Sequence, residues 1–351
     1  MMVVHPSAIG LDASSICQLR CPCCPTPSGA RKAITPGFLR LHDFKGLLAA
    51  NPLRHIELTN FGEIFLNKEL PGILAHAHEM GVATSAAEGT NFNHVSDTAL
   101  AALVRYRLRE LTVSIDGASQ ETYARYRVRG DFDRVIRNIE RLNGLKARHR
   151  SSLPRLTWQF VAFGHNEHEI LKARAMARQL GMRFYLKLSW DERFSPVRDR
   201  ALVARLSGLG VATRSEYLRR HGRHLMRQVC LQLWHAPQFN WDGTSLGCCH
   251  NIWADFGGNL FRDGVVATVN SEKMTYAREM LLGHVPAREG IPCTACVIYQ
   301  ILRAKGDWHD EAEILGMRAS CASPRGVAAA ARAIAAPARR RSRRRTPRAA
   351  S

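Results

Sequence analysis

No stretch of the 351-residue sequence approaches 18 consecutive apolar residues, so no segment is predicted to cross a membrane as a helix. The opening residues, MMVVHPSAIG, lack a basic segment followed by an apolar one, and we therefore expect no secretory signal. A cytoplasmic location follows as an expectation, and in that compartment cysteines stay reduced. The ten cysteines are therefore predicted to be metal ligands or core thiols rather than disulfides.

Acidic residues are absent from the last 30 positions, which hold nine arginines among many alanines and prolines. Residues 322–351 are predicted to be a disordered tail, because such a composition cannot bury enough apolar surface to order itself. The alternative is a tail that contacts RNA, DNA or an anionic membrane surface. The formal net charge of the whole chain is +20, so this one segment carries almost half of the excess.

Short strand-like runs alternate with longer helical patterns from residue 7 to about residue 190. We predict strands at 7–13, 55–60, 82–87, 110–116, 155–163 and 183–190, and helices near 36–50, 67–80, 96–106, 131–148 and 166–180. Asn166 and Glu169 have capping-box spacing at the start of the last of these helices. Strands that alternate with helices predict βαβ units and a parallel sheet, hence an α/β fold. Six such units favour a partial or full barrel, with an open doubly wound sheet as the competing arrangement.

The alternation ends near residue 195, which is the predicted boundary of the first domain. A helical linker is expected over 196–229, followed by a small irregular domain over 230–321 that carries six of the ten cysteines. Within it, NWDGTSLGCC predicts a hairpin that turns at Asp242-Gly243. His165 and His168 precede this region at a strand end and could bind a metal, or could simply be exposed or line a substrate entrance.

Four cysteines fall within eight positions in the segment SSICQLRCPCCPTPSG, residues 14–29. Cys17, Cys21 and Cys24 form C-x3-C-x2-C, and Cys23 is the extra thiol. A disulfide knot, a zinc site, a redox pair and an iron–sulfur cluster are the chemistries to weigh, and thiolates suit zinc or iron–sulfur clusters. Three thiolates are one fewer than a closed tetrahedral zinc site needs. A cubane cluster held by three cysteines leaves one iron open for a small molecule.

C-x3-C-x2-C after a first strand is the signature of the radical S-adenosylmethionine (radical SAM) enzymes, and residues 7 to 190 resemble that family. The resemblance implies a [4Fe–4S] cluster on Cys17, Cys21 and Cys24, with SAM as cofactor. The segment NFGE resembles the family's Gly-Gly-Glu-Pro motif, which implies that Asn60, Gly62 and Glu63 lie at the methionyl amine of SAM.

The segment TVSIDGASQETYARYRVRGDFDRVIRNI resembles the fourth strand and helix of the same family. This likeness implies that Ser114 and Asp116 lie beside the ribose or carboxylate of SAM. It further implies that Arg127 or Arg129 binds the SAM carboxylate. A small one-electron donor such as flavodoxin or ferredoxin is the protein partner that the resemblance implies.

The later cysteines resemble the C-terminal extension called SPASM or, when shortened, twitch. Cys230, Cys248, Cys293 and Cys296 would suffice for one auxiliary [4Fe–4S] cluster. Cys249 is an alternative to Cys248, and Cys321 is expected to be free. The full SPASM pattern would need a cysteine at position 302, where the chain has Leu302. A structural zinc site is the competing use of these thiols.

The function that these resemblances imply is reductive cleavage of SAM to a 5′-deoxyadenosyl radical, which abstracts a hydrogen atom from a substrate. The expected substrate is a small polar molecule, such as a sugar, or else a peptide. An auxiliary cluster with four cysteine ligands implies electron transfer rather than substrate binding. One alternative is a metal-binding protein that binds nucleic acid, which the pI near 10.2 would favour. The other is a radical SAM enzyme that modifies RNA.

Overall fold

A curved, mainly parallel sheet organises the chain in the computed structural model, which describes residues 3–29 and 32–322, with side chains up to residue 316. Six strands lie in the first part of the chain: β1 (Ala8–Leu11), β2 (His55–Glu57), β3 (Ala83–Thr90), β4 (Glu110–Ser114), β5 (Arg155–Ala162) and β6 (Arg183–Leu188). Each overlaps one of the six predicted strands. The predicted tail beyond residue 322 and the side chain of Cys321 lie outside the described residues.

Helices connect these strands, as predicted. They are α1 (Pro25–Ser28), α2 (Leu41–Ala50), α3 (Leu70–Glu79), α4 (Asp97–Arg105), α5 (Gln120–Tyr126), α6 (Phe132–Arg148) and α7 (Ile170–Gln179). Helix α6 illustrates why they form, since Val135, Ile139 and Leu142 recur at helical spacing and are buried. The side chain of Asp131 caps its N-terminus by accepting from the backbone N–H of Arg134.

The strand order decides between the two predicted sheet arrangements. Strands β1 to β6 pair in parallel and in sequence order, β6-β5-β4-β3-β2-β1. A doubly wound sheet reverses its order at a switch point, whereas sequential parallel strands with helical crossovers wind in one direction and curve into a barrel. The α/β fold with a partial barrel is therefore confirmed.

The sheet continues past the predicted domain boundary at residue 195. After helices α8 (Arg200–Ser207), α9 (Arg214–His221) and α10 (Gln232–His235), strand β7 (Gln238–Phe239) pairs in parallel with β1. Strand β8 (Ser245–Gly247) then pairs antiparallel with β7, as the predicted hairpin requires. The remaining helices are α11 (Leu260–Val269), α12 (Glu272–Leu281), α13 (Val297–Lys305) and α14 (Glu311–Ala322). The cysteine-rich region is thus joined to the barrel through a shared sheet.

The two faces of the barrel strands differ in chemistry. Ile56, Val113 and Trp158 belong to the apolar core on the outer, helix-covered face. Their strand neighbours Glu57 and Gln159 alternate onto the inner face. Parallel sheets covered on both faces normally read as continuous apolar runs. Polar residues on the inner face therefore mark the barrel interior as the place for polar ligands.

One predicted local motif is wrong. Asn166 makes no side-chain cap at the helix start; its amide group donates to the backbone oxygens of Asp116 and Val161. The carboxylate of Glu169 accepts from the backbone N–H of Ala118 instead of closing a capping box. Both side chains are used to tie neighbouring strand ends together, because tertiary partners outcompete the local cap.

Candidate active site

The cysteine loop lies at the carboxyl end of β1, on the rim where the ends of the parallel strands meet. Cys17, Cys21 and Cys24 pack into one small apolar cluster, separate from the main core. The other members of that cluster are Leu19, Cys23, Tyr126, Val161, Phe163 and Phe194. The backbone N–H of Cys24 donates to the carbonyl of Cys21 at 3.1 Å, which closes the turn between the last two thiols of the motif.

Because they are buried, these thiols resist deprotonation unless a cationic partner is present. It raises the pKa of Cys17 to about 12, with the negative charges of Glu63, Cys21 and Cys24 acting in the same direction. Burial likewise raises the pKa of Cys21, although the charge of Arg127 opposes it. Thiols in such a position release their protons when they bind a metal centre. No three Cys, His, Asp or Glu side chains in the described residues are placed to hold a single metal ion.

A buried ion pair lies directly below the cysteine loop. Nε of Arg127 donates to Oδ2 of Asp116 at 2.6 Å, and another guanidinium nitrogen of Arg127 lies 3.8 Å from the sulfur of Cys21. Burial works against the charge of Arg127, but Asp116 outweighs it, and the pKa of this guanidinium is raised well above its usual value. Arg127 is therefore a fixed cation beside a predicted ligand thiol.

Both oxygens of Asp116 already have protein partners. Oδ1 accepts from the backbone N–H of Val161 at 2.6 Å, while Oδ2 accepts from Arg127. Asp116 is fully buried, so in this arrangement it positions Arg127. Its predicted contact with SAM stays a prediction. Arg129, the other arginine considered for the SAM carboxylate, is exposed and has a left-handed backbone.

The segment Asn60-Phe61-Gly62-Glu63 packs against the cysteine loop. A Cβ on Gly62 would lie 2.1 Å from the backbone oxygen of Ser14, so only glycine permits this approach. The backbone N–H of Glu63 donates to the carbonyl of Ile16 at 2.8 Å. Burial raises the pKa of Glu63 to about 7. These contacts bring the predicted glycine-rich motif and the cysteine motif together.

Asn91 is a member of this site that the motifs did not reveal. Its backbone N–H donates to the carboxylate of Glu63 at 2.5 Å, and its side-chain amide donates to the sulfur of Cys17 at 3.4 Å. It also exchanges hydrogen bonds with Gln18. Its position directly after the third strand, at the same rim as the cysteines, was the available signal.

Ser114 ends β4 and faces the barrel interior. Its hydroxyl accepts from Nε2 of Gln159 at 3.2 Å, and a Cβ on Gly89 would lie 2.6 Å from the same hydroxyl. Asn60 contacts the C-terminal region, because its amide donates to the backbone oxygen of Cys249 at 3.2 Å. The predicted SAM residues therefore border both the barrel interior and the second set of cysteines.

Four cysteines of the C-terminal region converge. Cys230, Cys248, Cys293 and Cys296 line one small enclosed cavity, and burial raises the pKa of each. Cys249 does not line this cavity. Its electrostatic neighbours include Glu88 and Lys187 of the barrel, and its backbone N–H donates to the side-chain oxygen of Gln232.

The two histidines are not brought together at the cysteines. His165 is buried, stacks on Phe163 and contacts the hydroxyl of Ser195 at 2.9 Å. Burial lowers its pKa to about 4. His168 is exposed. Neither residue has a described contact with the thiols of the two cysteine sets.

A comparison with models of protein families identifies the part of the chain that contains the first cysteine loop. Residues 13–154 match the model of the radical SAM superfamily. This part of the chain belongs to the radical SAM superfamily. The protein is accordingly a radical SAM enzyme, with SAM and a [4Fe–4S] cluster as its cofactors, and its exact reaction is unknown. No curated protein matches the sequence.

Solved structures extend the likeness of this radical SAM enzyme beyond the matched domain. SuiB from Streptococcus suis bound to S-adenosylmethionine superposes with a TM-score of 0.60 at 13% identity, covering 85% of this chain and 70% of SuiB. SuiB bound to the precursor peptide SuiA gives the same TM-score and identity, covering 85% and 71%. At this identity the likeness concerns the fold alone, and it includes the C-terminal region.

A third structure is less similar to the radical SAM enzyme. BtrN in complex with AdoMet and 2-DOIA has a TM-score of 0.45 at 14% identity, covering 80% of this chain and 88% of BtrN. Separately, no helix among the described residues is long and apolar enough to span a membrane.

Proposed function

We propose that Cys17, Cys21 and Cys24 hold the [4Fe–4S] cluster of this radical SAM enzyme and leave one iron open for SAM. The observation that carries the assignment is the gathering of these three thiols in one apolar cluster at the barrel rim. Thiolates are the ligands that iron–sulfur clusters require. The chemistry that a cluster held by these thiols would supply is one-electron reductive cleavage of bound SAM to methionine and a 5′-deoxyadenosyl radical.

The residues around the loop have distinct tasks in this proposal. Arg127 places a permanent positive charge beside Cys21, which favours the thiolate form that ligation needs. Asn91 donates a hydrogen bond to the sulfur of Cys17 and orients it. Glu63 and Gly62 hold the adjoining loop against the cysteine segment, where the methionyl amine of SAM would bind. The aromatic rings of Tyr126, Phe163 and Phe194, which pack around the cysteines, exclude water from the thiols.

The second set of cysteines supports an auxiliary [4Fe–4S] cluster on Cys230, Cys248, Cys293 and Cys296. Four thiols around one cavity would satisfy every iron, so we assign this cluster to electron transfer rather than to substrate binding. Such a cluster would accept the electron of a substrate radical while a proton leaves to solvent, so the net reaction would be a two-electron oxidation of the substrate. A flavodoxin or ferredoxin is the proposed source of the first electron.

The proposed reaction is removal of a hydrogen atom from a carbon of a small polar substrate. The polar inner face of the barrel supports this substrate class, since a polar ligand needs polar partners once water is removed. A peptide is the second candidate, because SuiB, which shares the fold, has been crystallised with the precursor peptide SuiA.

An anaerobic assay of SAM cleavage tests the proposal. The protein is reconstituted with iron and sulfide, mixed with SAM and dithionite, and assayed for 5′-deoxyadenosine. We expect the product from the parent protein and from a Cys23→Ala variant, which keeps the loop but changes only the extra thiol. A Cys17→Ala/Cys21→Ala/Cys24→Ala variant should give none. Equal product from the triple variant, or zinc in place of the cluster, would overturn the assignment.

A further inference from the structure

Two opposite charges face each other inside the barrel without touching. Glu88 belongs to β3 and Lys187 to β6, with two strands between them in the sheet. The curvature of the sheet nevertheless brings the two groups within electrostatic range. Among the described residues they form no ion pair within 4.0 Å.

Neither charge is satisfied by the protein. Within the described part of the chain, the carboxylate of Glu88 accepts no hydrogen bond, although its backbone N–H donates to Thr59. The ammonium group of Lys187 has one long hydrogen bond, 3.4 Å to Oε1 of Gln159, and lies 5.6 Å from the ring of Trp190. A buried charge without a partner is costly, so both groups favour a complementary ligand.

Neither Glu88 nor Lys187 is sealed in the packed core. Glu88 and Lys187 are deeply enclosed by the protein, yet both keep some accessible surface. Burial raises the pKa of Glu88 and lowers the pKa of Lys187, so each is pushed towards its neutral form while it lacks a partner. Arg214, Cys249 and Asp116 are the other groups that act electrostatically on Lys187.

Hydrogen bonds connect Lys187 with the predicted SAM residue Ser114. Gln159 connects the two, because its side-chain oxygen accepts from Lys187 while its amide nitrogen donates to Ser114. A ligand held between Glu88 and Lys187 would therefore lie beside the position where the proposed function places SAM. That is the position from which a radical formed on the adenosyl group could reach it.

We propose that Glu88, Gln159 and Lys187 form the substrate-binding site, and that the substrate is a small polyhydroxylated amine such as an amino sugar. Its protonated amine pairs with Glu88, and its hydroxyl oxygens accept from Lys187 and from the amide of Gln159. An uncharged sugar would leave Glu88 without a counterion, and a purely anionic substrate would pair with Lys187 but leave Glu88 unpaired. The substrate role rests on the proposed function, whereas the ligand preference can be measured by itself.

Equilibrium dialysis with labelled sugars tests the preference. The probes are D-glucosamine and N-acetyl-D-glucosamine, which differ in the charge of one nitrogen, and the protein is the reconstituted, SAM-loaded enzyme. We expect glucosamine to bind at least about fivefold more tightly. Glu88→Gln should abolish this preference. Lys187→Met should weaken the binding of both sugars and leave the ratio of the two affinities unchanged. Glu121→Gln, at an exposed position on α5, is the matched control and should behave as the parent.

The outcomes separate this inference from the proposed function. Equal binding of the two sugars by the parent, or a preference that survives Glu88→Gln, would overturn the assignment of Glu88, Gln159 and Lys187 as the substrate-binding site. Production of 5′-deoxyadenosine in the same samples reports SAM cleavage independently. An amine preference without 5′-deoxyadenosine would support the assignment of Glu88 as the amine partner and count against the proposed reaction. Thermal unfolding of each variant verifies that loss of binding does not reflect loss of the fold.

Discussion

Arg127→Met is the substitution that most directly tests the buried ion pair below the cysteine loop. Arg127 is 14% exposed and its partner Asp116 is 0% exposed. Removing one member of such a pair leaves an uncompensated buried charge, which typically costs about 3–5 kcal/mol. The substitution keeps most of the apolar volume of the side chain, so the loss comes mainly from the charge. We therefore expect the free energy of unfolding to fall by about 3–5 kcal/mol.

The assay is urea unfolding of the reconstituted protein under anaerobic conditions, followed by circular dichroism. Arg155→Met is the matched control, because the Arg155–Glu110 pair has a similar separation of 2.9 Å but Arg155 is 49% exposed. Exposed pairs contribute about 0–1 kcal/mol, so the control should change little. The double variant Arg127→Met/Asp116→Asn should be more stable than Arg127→Met, since it removes the orphaned charge.

The midpoint potential of the cluster, measured on the same variants, separates an electrostatic effect of Arg127 from an effect on packing. Loss of the cation beside Cys21 should make the cluster harder to reduce, which shifts its midpoint potential to more negative values. If Arg127→Met destabilises the protein by no more than the exposed Arg155→Met, the reasoning from the buried pair is refuted. If stability falls but the midpoint potential does not move, Arg127 acts only on the fold.

Three further predictions concern the auxiliary site, pH and packing. Cys248→Ala should lower the iron content by about four atoms per chain, whereas Cys249→Ala should leave the iron content unchanged. The reverse result in iron analysis would mean that Cys249 is the ligand. Burial lowers the pKa of His55 from 6.5 to about 4, so its neutral form contributes stability above pH 6.5 that is lost as the pH falls towards 4. Unfolding titrations at pH 7 and pH 5 should show that the wild type loses about 2 kcal/mol more than His55→Gln, and parallel pH profiles would contradict this. Gly62→Ala should cost about 1–3 kcal/mol and weaken SAM binding in dialysis, because its Cβ would lie 2.1 Å from a backbone oxygen. Gly144→Ala, with open space around its Cβ on an exposed helix face, should instead be neutral or stabilising, and a similar loss in both variants would argue against the steric explanation.

The local elements could be predicted because their signals are short-ranged. Strand-like runs such as ELTVSID and helical spacing such as that of Val135, Ile139 and Leu142 repeat within a few residues. The cysteine motif is equally local, since three thiols within eight positions restrict the chemistry whatever the fold around them. Where a local signal misled, as with Asn166 and Glu169, a tertiary hydrogen bond replaced the local one.

The sequence by itself determined the α/β alternation, the cysteine triad and the composition of the second cysteine set. Only the tertiary structure shows that Cys248, and not its neighbour Cys249, lines the cavity with the other three cysteines, and that Asn91 contacts Cys17. It likewise decided that Glu88 and Lys187, about a hundred positions apart, lie within electrostatic range of each other. The reason is physical: strand and helix periods are set by neighbouring residues, whereas contacts between strand ends depend on the order and curvature of the whole sheet.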